Sequence, residues 1–119
     1  MSPQRIQRKR TRGWSRPDNA VIVDRTSRWG NPFRVADCLD AEVAANEADA
    51  RKVCVAAFDA WLDGEPEYAH VEPARRERIL AELHTLAGKD LACTCAPGLL
   101  CHGDVLIRRA NHAVQAVAA

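Results

Sequence analysis

No stretch of this chain approaches the roughly 20 consecutive apolar residues that span a bilayer. Its arginine-rich start also lacks the apolar segment of a secretory signal. A cytosolic protein is therefore the expectation. Repeats and low-complexity linkers are missing too, and 119 residues suffice for a single domain, residues 1–119, around one core. Nor is there a disulfide framework: the cysteines number five, an odd count, and three of them crowd into one short segment. Reduced thiols serving as ligands, nucleophiles or core residues fit that usage better. Acidic residues are scarce at one end. The first 34 residues hold nine basic side chains against Asp18 and Asp24, a balance of +7, while the remainder holds eight against fourteen, a balance of −6.

What is present is concentrated in two segments. In the first, Ala20-Val21-Ile22-Val23-Asp24 reads as a short buried strand. It runs into Arg25-Thr26-Ser27-Arg28-Trp29-Gly30-Asn31-Pro32-Phe33-Arg34, where Gly30, Asn31 and Pro32 forbid regular helix. In the second, Leu91-Ala92-Cys93 reads as a strand, Pro97-Gly98 as a turn, and a helix is expected from about Asp104 to Val117. Arg5 to Arg10 reads as a polar first strand. Between the two segments lies helix: Asn46 to Leu62, with Ala50, Cys54, Ala57, Phe58 and Trp61 on one face, and a second from Pro73, with Gly88 as its C-terminal cap. Short strands separated by helices predict an α/β fold, a small Rossmann-like parallel sheet flanked by helices. Ligands of such sheets bind at the carboxyl ends of the strands. Both irregular loops follow strands, so neighbouring strands would merge them into one pocket.

The residue types specify the chemistry to look for there. Cys93, Cys95, Cys101 and His102 offer the ligand count of a Cys3His zinc site, although Cys-x-Cys and adjacent Cys-His are unusual spacings for one tetrahedron. The same residues read differently as catalysts. Cys101 at a helix N-terminus would be a thiolate of lowered pKa, aided by Arg25 or Arg28 from the facing loop, with His102 as acid or base. Asp104 complements the helix dipole first and serves as a base second. Ser27, Gly30 and Asn31 shape the first loop; Asn31 suits either a base edge or the turn itself, and Trp29 is expected as a pocket wall on which a base can stack rather than as a core plug. Arg5, Arg8, Lys9, Arg10 and Arg12 can neutralise phosphates, with Trp14 beside Arg12 and Arg16 as an aromatic contact, or can simply keep a strand solvated. Cys38, in an acidic stretch, and Cys54, on an apolar helix face, read as packing residues, and His70, His84 and His112 as surface or packing residues.

Asp24-Arg25-Thr26-Ser27-Arg28-Trp29-Gly30-Asn31-Pro32-Phe33, Gly88-Lys89-Asp90-Leu91-Ala92-Cys93-Thr94-Cys95 and Cys101-His102-Gly103-Asp104, in that order, resemble domain of unknown function family 4326 of bacteria and phages. Asp24 stands where glycine is expected, and the acidic extension Asp37 to Asp49 is long for the family. The resemblance implies an α/β fold and no activity. Function has to come from the site. Two readings follow. One is a nucleotide- or nucleic-acid-processing protein whose pocket joins the Arg/Trp/Asn loop to the cysteine loop. The other is a non-catalytic binding module for nucleic acid or a host protein, its Cys3His loop stabilised by zinc.

Overall fold

The computed structural model describes residues 3–9, 11–96 and 98–118, with side chains described as far as His112 in the last helix. Arg10 and Pro97, and the side chains of Val114 and Val117, lie outside the described residues. Strands β1 (Arg5–Gln7), β2 (Ala20–Ile22) and β3 (Asp90–Cys93) form one parallel sheet in the order β1-β3-β2. Helices α1 (Val35–Asp40), α2 (Glu47–Asp63) and α3 (Pro73–Glu82) lie between β2 and β3, and α4 (His102–Ala118) follows β3. This is the expected α/β class. The likeness to a Rossmann fold extends to parallel strands, a helical crossover between β2 and β3, and a ligand-sized cleft at the strands' carboxyl ends.

β3 is central and the most buried of the three. Leu91, Ala92 and Cys93 are buried, as a strand paired on both sides requires, whereas β1 is polar and half-buried, as an edge tolerates. The ladders continue one residue past each assigned strand, with Arg8 N–H donating to Cys93 O and Val23 N–H to Ala92 O. α4 packs on β3 and β1 and against α2. Leu91 and Val23 from the sheet region meet Phe58, Trp61, Ile79, Leu86 and Leu106 from the helical segments in one hydrophobic cluster. Among the described residues no helix is long and apolar enough to cross a membrane.

Three elements differ from expectation. The basic strand is regular only to Gln7, with one further ladder bond from the Arg8 N–H to Cys93 O, while the Arg8 side chain pairs with Asp24. The second predicted helix tightens into a 3-10 turn over Leu83–Leu86, capped by Ala87 rather than Gly88; the Gly88 N–H is instead taken by Asn111 Oδ1. The acidic stretch contains the six-residue α1, which has no buried residue and so left no apolar periodicity to read. α2 runs nearly as expected, with Asn46 Oδ1 accepting the Asp49 N–H at 2.9 Å and Gly64 closing it at a left-handed φ of 84°. Asn46→Ala removes that N-terminal cap. Its expected cost is about 1 kcal/mol, measured as a fall in the urea midpoint at unchanged slope.

Candidate functional site

β2 and β3 pair directly, so the loops that leave their carboxyl ends lie side by side. With the segment after β1 they enclose a cleft of about 670 Å3, whose lining includes Arg8, Lys9, Trp14, Arg16, Asp24, Arg25, Cys93, Cys95 and His102. The first loop enters this cleft only through Asp24, Arg25 and Thr26, and the second through Cys93, Thr94, Cys95 and His102.

The first loop is built around a buried carboxylate. Asp24 accepts from Arg8 Nη1 at 2.9 Å and from the Thr26 N–H at 3.0 Å. Burial alone would raise its carboxyl, but the Thr26 and Arg8 hydrogen bonds outweigh burial and hold it below the usual range. Ser27 Oγ donates to Asp24 O and accepts the Trp29 N–H. Gly30 comes so close behind the turn that a Cβ there would stand 3.0 Å from Arg25 Cα. Arg25 closes the loop by donating to Asn31 O at 2.6 Å and Phe33 O at 2.9 Å. Asn31, buried, holds Cys54 O through Nδ2 and the Phe33 N–H through Oδ1. Trp29, expected as a pocket wall, is instead a core residue at 3 % exposure. Arg28 lies over the Trp29 ring and pairs with Glu82 at 3.1 Å, away from the thiols. Of the proposed ligand residues in this loop, Arg25 lines the cleft; Ser27, Arg28, Trp29, Gly30 and Asn31 do not.

The second loop returns its cysteines to one point. The Sγ atoms of Cys93, Cys95 and Cys101 all lie within 4.8 Å of one another, with Cys93 and Cys95 at 3.7 Å. Side chains two apart on a regular strand share a face, and the chain then bends, carrying Cys101 back to the start of α4. There Cys101 Sγ accepts the Gly103 N–H at 3.4 Å, as a helix-capping side chain does. Cys95 accepts from Arg51 Nη1 at 3.3 Å. Cys101 and Cys93 donate to Cys95 and, with Arg51, hold its thiol far below the ordinary range despite burial. Cys101 moves the opposite way from the sequence expectation: hydrogen bonding to Cys93 and Cys95, and burial, push its thiol up. For Cys93 the Cys101 hydrogen bond lowers the thiol, but the Cys95 hydrogen bond and burial outweigh it and the net shift is upward. The arginine contact thus falls on Cys95, the one thiol of the three that is shifted downward.

His102 stands beside the cluster. Burial lowers its pKa, so the ring is neutral, and its contact with Val23 O at 2.6 Å makes Nε2 the protonated nitrogen. The bare Nδ1 lies 3.7 Å from Cys101 Sγ. The group of mutually close ligand atoms holds the three sulfurs and does not extend to His102.

The basic N-terminus divides by position. Arg8 and Lys9 line the cleft, as do Trp14 and Arg16, while Arg12 is exposed away from it. Arg10 lies outside the described residues. Arg5, expected to meet phosphate, has a side chain only 6 % exposed and is spent on the thiol loop, where it bonds Asp104 Oδ1 and the carbonyls of Cys95, Ala96 and Leu99. Asp104 is correspondingly engaged with Arg5 and does not line the cleft. Arg51 was missed by the sequence reading. It lies 44 positions from Cys95, on the polar side of an alanine-rich helix, and no local spacing links the two.

The profile of the family described as Domain of unknown function (DUF4326) matches residues 6–112, nearly the whole chain, and the chain belongs to that family. No curated protein and no solved structure matches it.

Proposed function

Within a family of unassigned activity, we propose that this protein binds a nucleotide, free or at the end of a nucleic acid, and processes it at a zinc centre held by Cys93, Cys95 and Cys101. The observation that supports this is a group of three convergent sulfurs, two of which, Cys93 and Cys95, line a cleft that Arg8, Lys9, Arg16 and Arg25 also line, with Cys101 buried behind them. Its volume falls in the range of about 300–1,000 Å3 usual for small-ligand sites. The cations suit phosphate, and Trp14 supplies the flat apolar face on which a base can stack, the part that Trp29 was first expected to play.

The donor set fits zinc. Bonds of about 2.3 Å from zinc to thiolate sulfur imply sulfurs about 3.8 Å apart in a tetrahedron, close to the 3.7 Å between Cys93 and Cys95. Three protein ligands with a fourth position left over is the pattern of catalytic rather than structural sites. The zinc would polarise a ligand oxygen or activate a bound water. Arg51 and the Gly103 N–H temper the charge on the sulfurs. His102, locked with its proton on Nε2, offers Nδ1 as a nearby proton acceptor.

Calorimetric titration of the metal-loaded protein with nucleoside mono- and triphosphates tests this reading. Saturable binding that weakens as salt rises is expected, with a salt slope lowered by about one unit in Lys9→Ala. Trp14→Ala should weaken binding of every base by about 1–3 kcal/mol. Stoichiometric zinc without saturable nucleotide binding at low salt would reject nucleotide processing and leave the zinc-stabilised binding module.

A further inference from the structure

We propose that Cys38 and Cys54 form a second thiol site, separate from the sulfur cluster, at which an oxidant of the peroxide class closes an intramolecular disulfide. Sequence position gave both residues a packing role, because nothing in the spacing of residues 38 and 54 announces a pair. The fold brings them into contact across α1 and α2, with their sulfurs 3.4 Å apart and both thiols free. A disulfide needs about 2.05 Å, so modest movement of one partner closes the bond. The partner able to move is on α1, a six-residue helix with no buried residue; Cys54 is fixed in α2 at 3 % exposure.

Access is equally one-sided. Cys38 lines a surface depression of about 280 Å3 with Pro32, Phe33, Arg34, Val43 and Val71, through which a small oxidant reaches its sulfur. Burial, with the Cys38 contact, pushes the Cys54 thiol up to about 12, which leaves the first attack to Cys38. In that step the Cys38 sulfur attacks one peroxide oxygen, the O–O bond breaks, and the departing hydroxide takes up the thiol proton as water. Cys38 is then a sulfenic acid. Next the Cys54 sulfur attacks the Cys38 sulfur, the S–O bond breaks, and hydroxide leaves with the Cys54 proton as a second water. Two thiols and one peroxide give one disulfide and two waters, the two electrons passing from sulfur to the peroxide oxygens.

The bridge would staple α1 to the helix that anchors the first cleft loop. Asn31 reaches Cys54 O, and Arg51, one turn earlier on α2, reaches Cys95. The site depends on neither metal nor nucleotide, so its failure and the failure of the proposed function are separable.

The test is peptide mapping by mass spectrometry, without reduction, of the full-length metal-loaded protein after a few equivalents of hydrogen peroxide. The expected product is a cross-linked peptide pair joining Cys38 to Cys54, lost on reduction. In Cys54→Ser, Cys38 should be trapped by dimedone as a sulfenic acid; in Cys38→Ser, Cys54 should stay a free thiol at the same dose. Should either variant fail to fold, the wild-type map decides alone. Free thiols at both positions under peroxide that already oxidises the Cys93, Cys95 and Cys101 cluster would overturn the proposal, as would cross-links confined to that cluster.

Discussion

Cys101→Ser is expected to abolish stoichiometric zinc retention while leaving the metal-free fold almost as stable as before. The two effects separate because Cys101 does two things. Its sulfur belongs to the three-sulfur group, and it also accepts the Gly103 N–H at the start of α4. Serine keeps the second role, since a hydroxyl oxygen at a helix start is among the preferred caps, but loses the first, because an alcohol is not deprotonated as a thiol is on binding metal. Changing an outer partner of a metal ligand already costs about 10–100-fold in affinity. Loss of one of three ligands should therefore exceed about 100-fold, read as competition against a chromophoric chelator and as metal content after gel filtration. Cys54→Ser, whose thiol contacts Cys38 rather than the cluster, should retain metal at the wild-type level. Equal zinc in Cys101→Ser and wild type, or a wild-type protein that takes up none, would end the metal-centre reading.

That the cysteines of this loop come together was legible from crowding alone, since Cys93, Cys95 and Cys101 occupy nine consecutive positions. So was the adjacency of the two loops, because apolar strands followed by punctuated loops put both at one edge of a parallel sheet. What each side chain does there was not legible. Trp29, Asn31 and Arg28 carry the residue types of a base-binding loop, yet Trp29 is buried in the core, Asn31 bonds Cys54 O and the Phe33 N–H, and Arg28, though exposed, pairs with Glu82 outside the cleft. Trp14, Arg16 and Lys9 reach the cleft because the chain after β1 folds over the strand ends, a path set by tertiary contacts rather than by local pattern. The helix terminus received Cys101 as expected, with the Gly103 N–H on its sulfur, but did not lower its thiol. A dipole's influence is modest, and here two neighbouring thiols and burial outweigh it. Charge counting misled most at Arg5, which was grouped with its exposed neighbours although its partners lie 90 and more positions away.

Arg5→Ala is expected to destabilise the protein by about 3 kcal/mol, the low end of the range for breaking a buried ion pair. The low end applies because Asp104, one partner, has a side chain 48 % exposed and can be rehydrated. The carbonyls matter more. Cys95 O, Ala96 O and Leu99 O belong to a loop without a sheet ladder, and one guanidinium bonds all three at 3.2, 3.3 and 2.5 Å. Charged hydrogen bonds contribute about 1.5–3 kcal/mol each and are not additive when they share a donor group. Arg5→Lys retains the charge but replaces a planar five-donor fork with a compact ammonium that cannot span the same carbonyls, so about 2 kcal/mol should still be lost. The lysine variant separates scaffold from ligand binding. Its urea midpoint and zinc affinity should fall, since Cys95 loses its hold, while the salt slope of nucleotide binding should stay at the wild-type value because Arg5 does not line the cleft. A loss below about 1 kcal/mol in Arg5→Ala with undiminished metal retention would show that the loop holds its shape without this side chain, whereas a lowered salt slope in Arg5→Lys would return Arg5 to the phosphate-binding set.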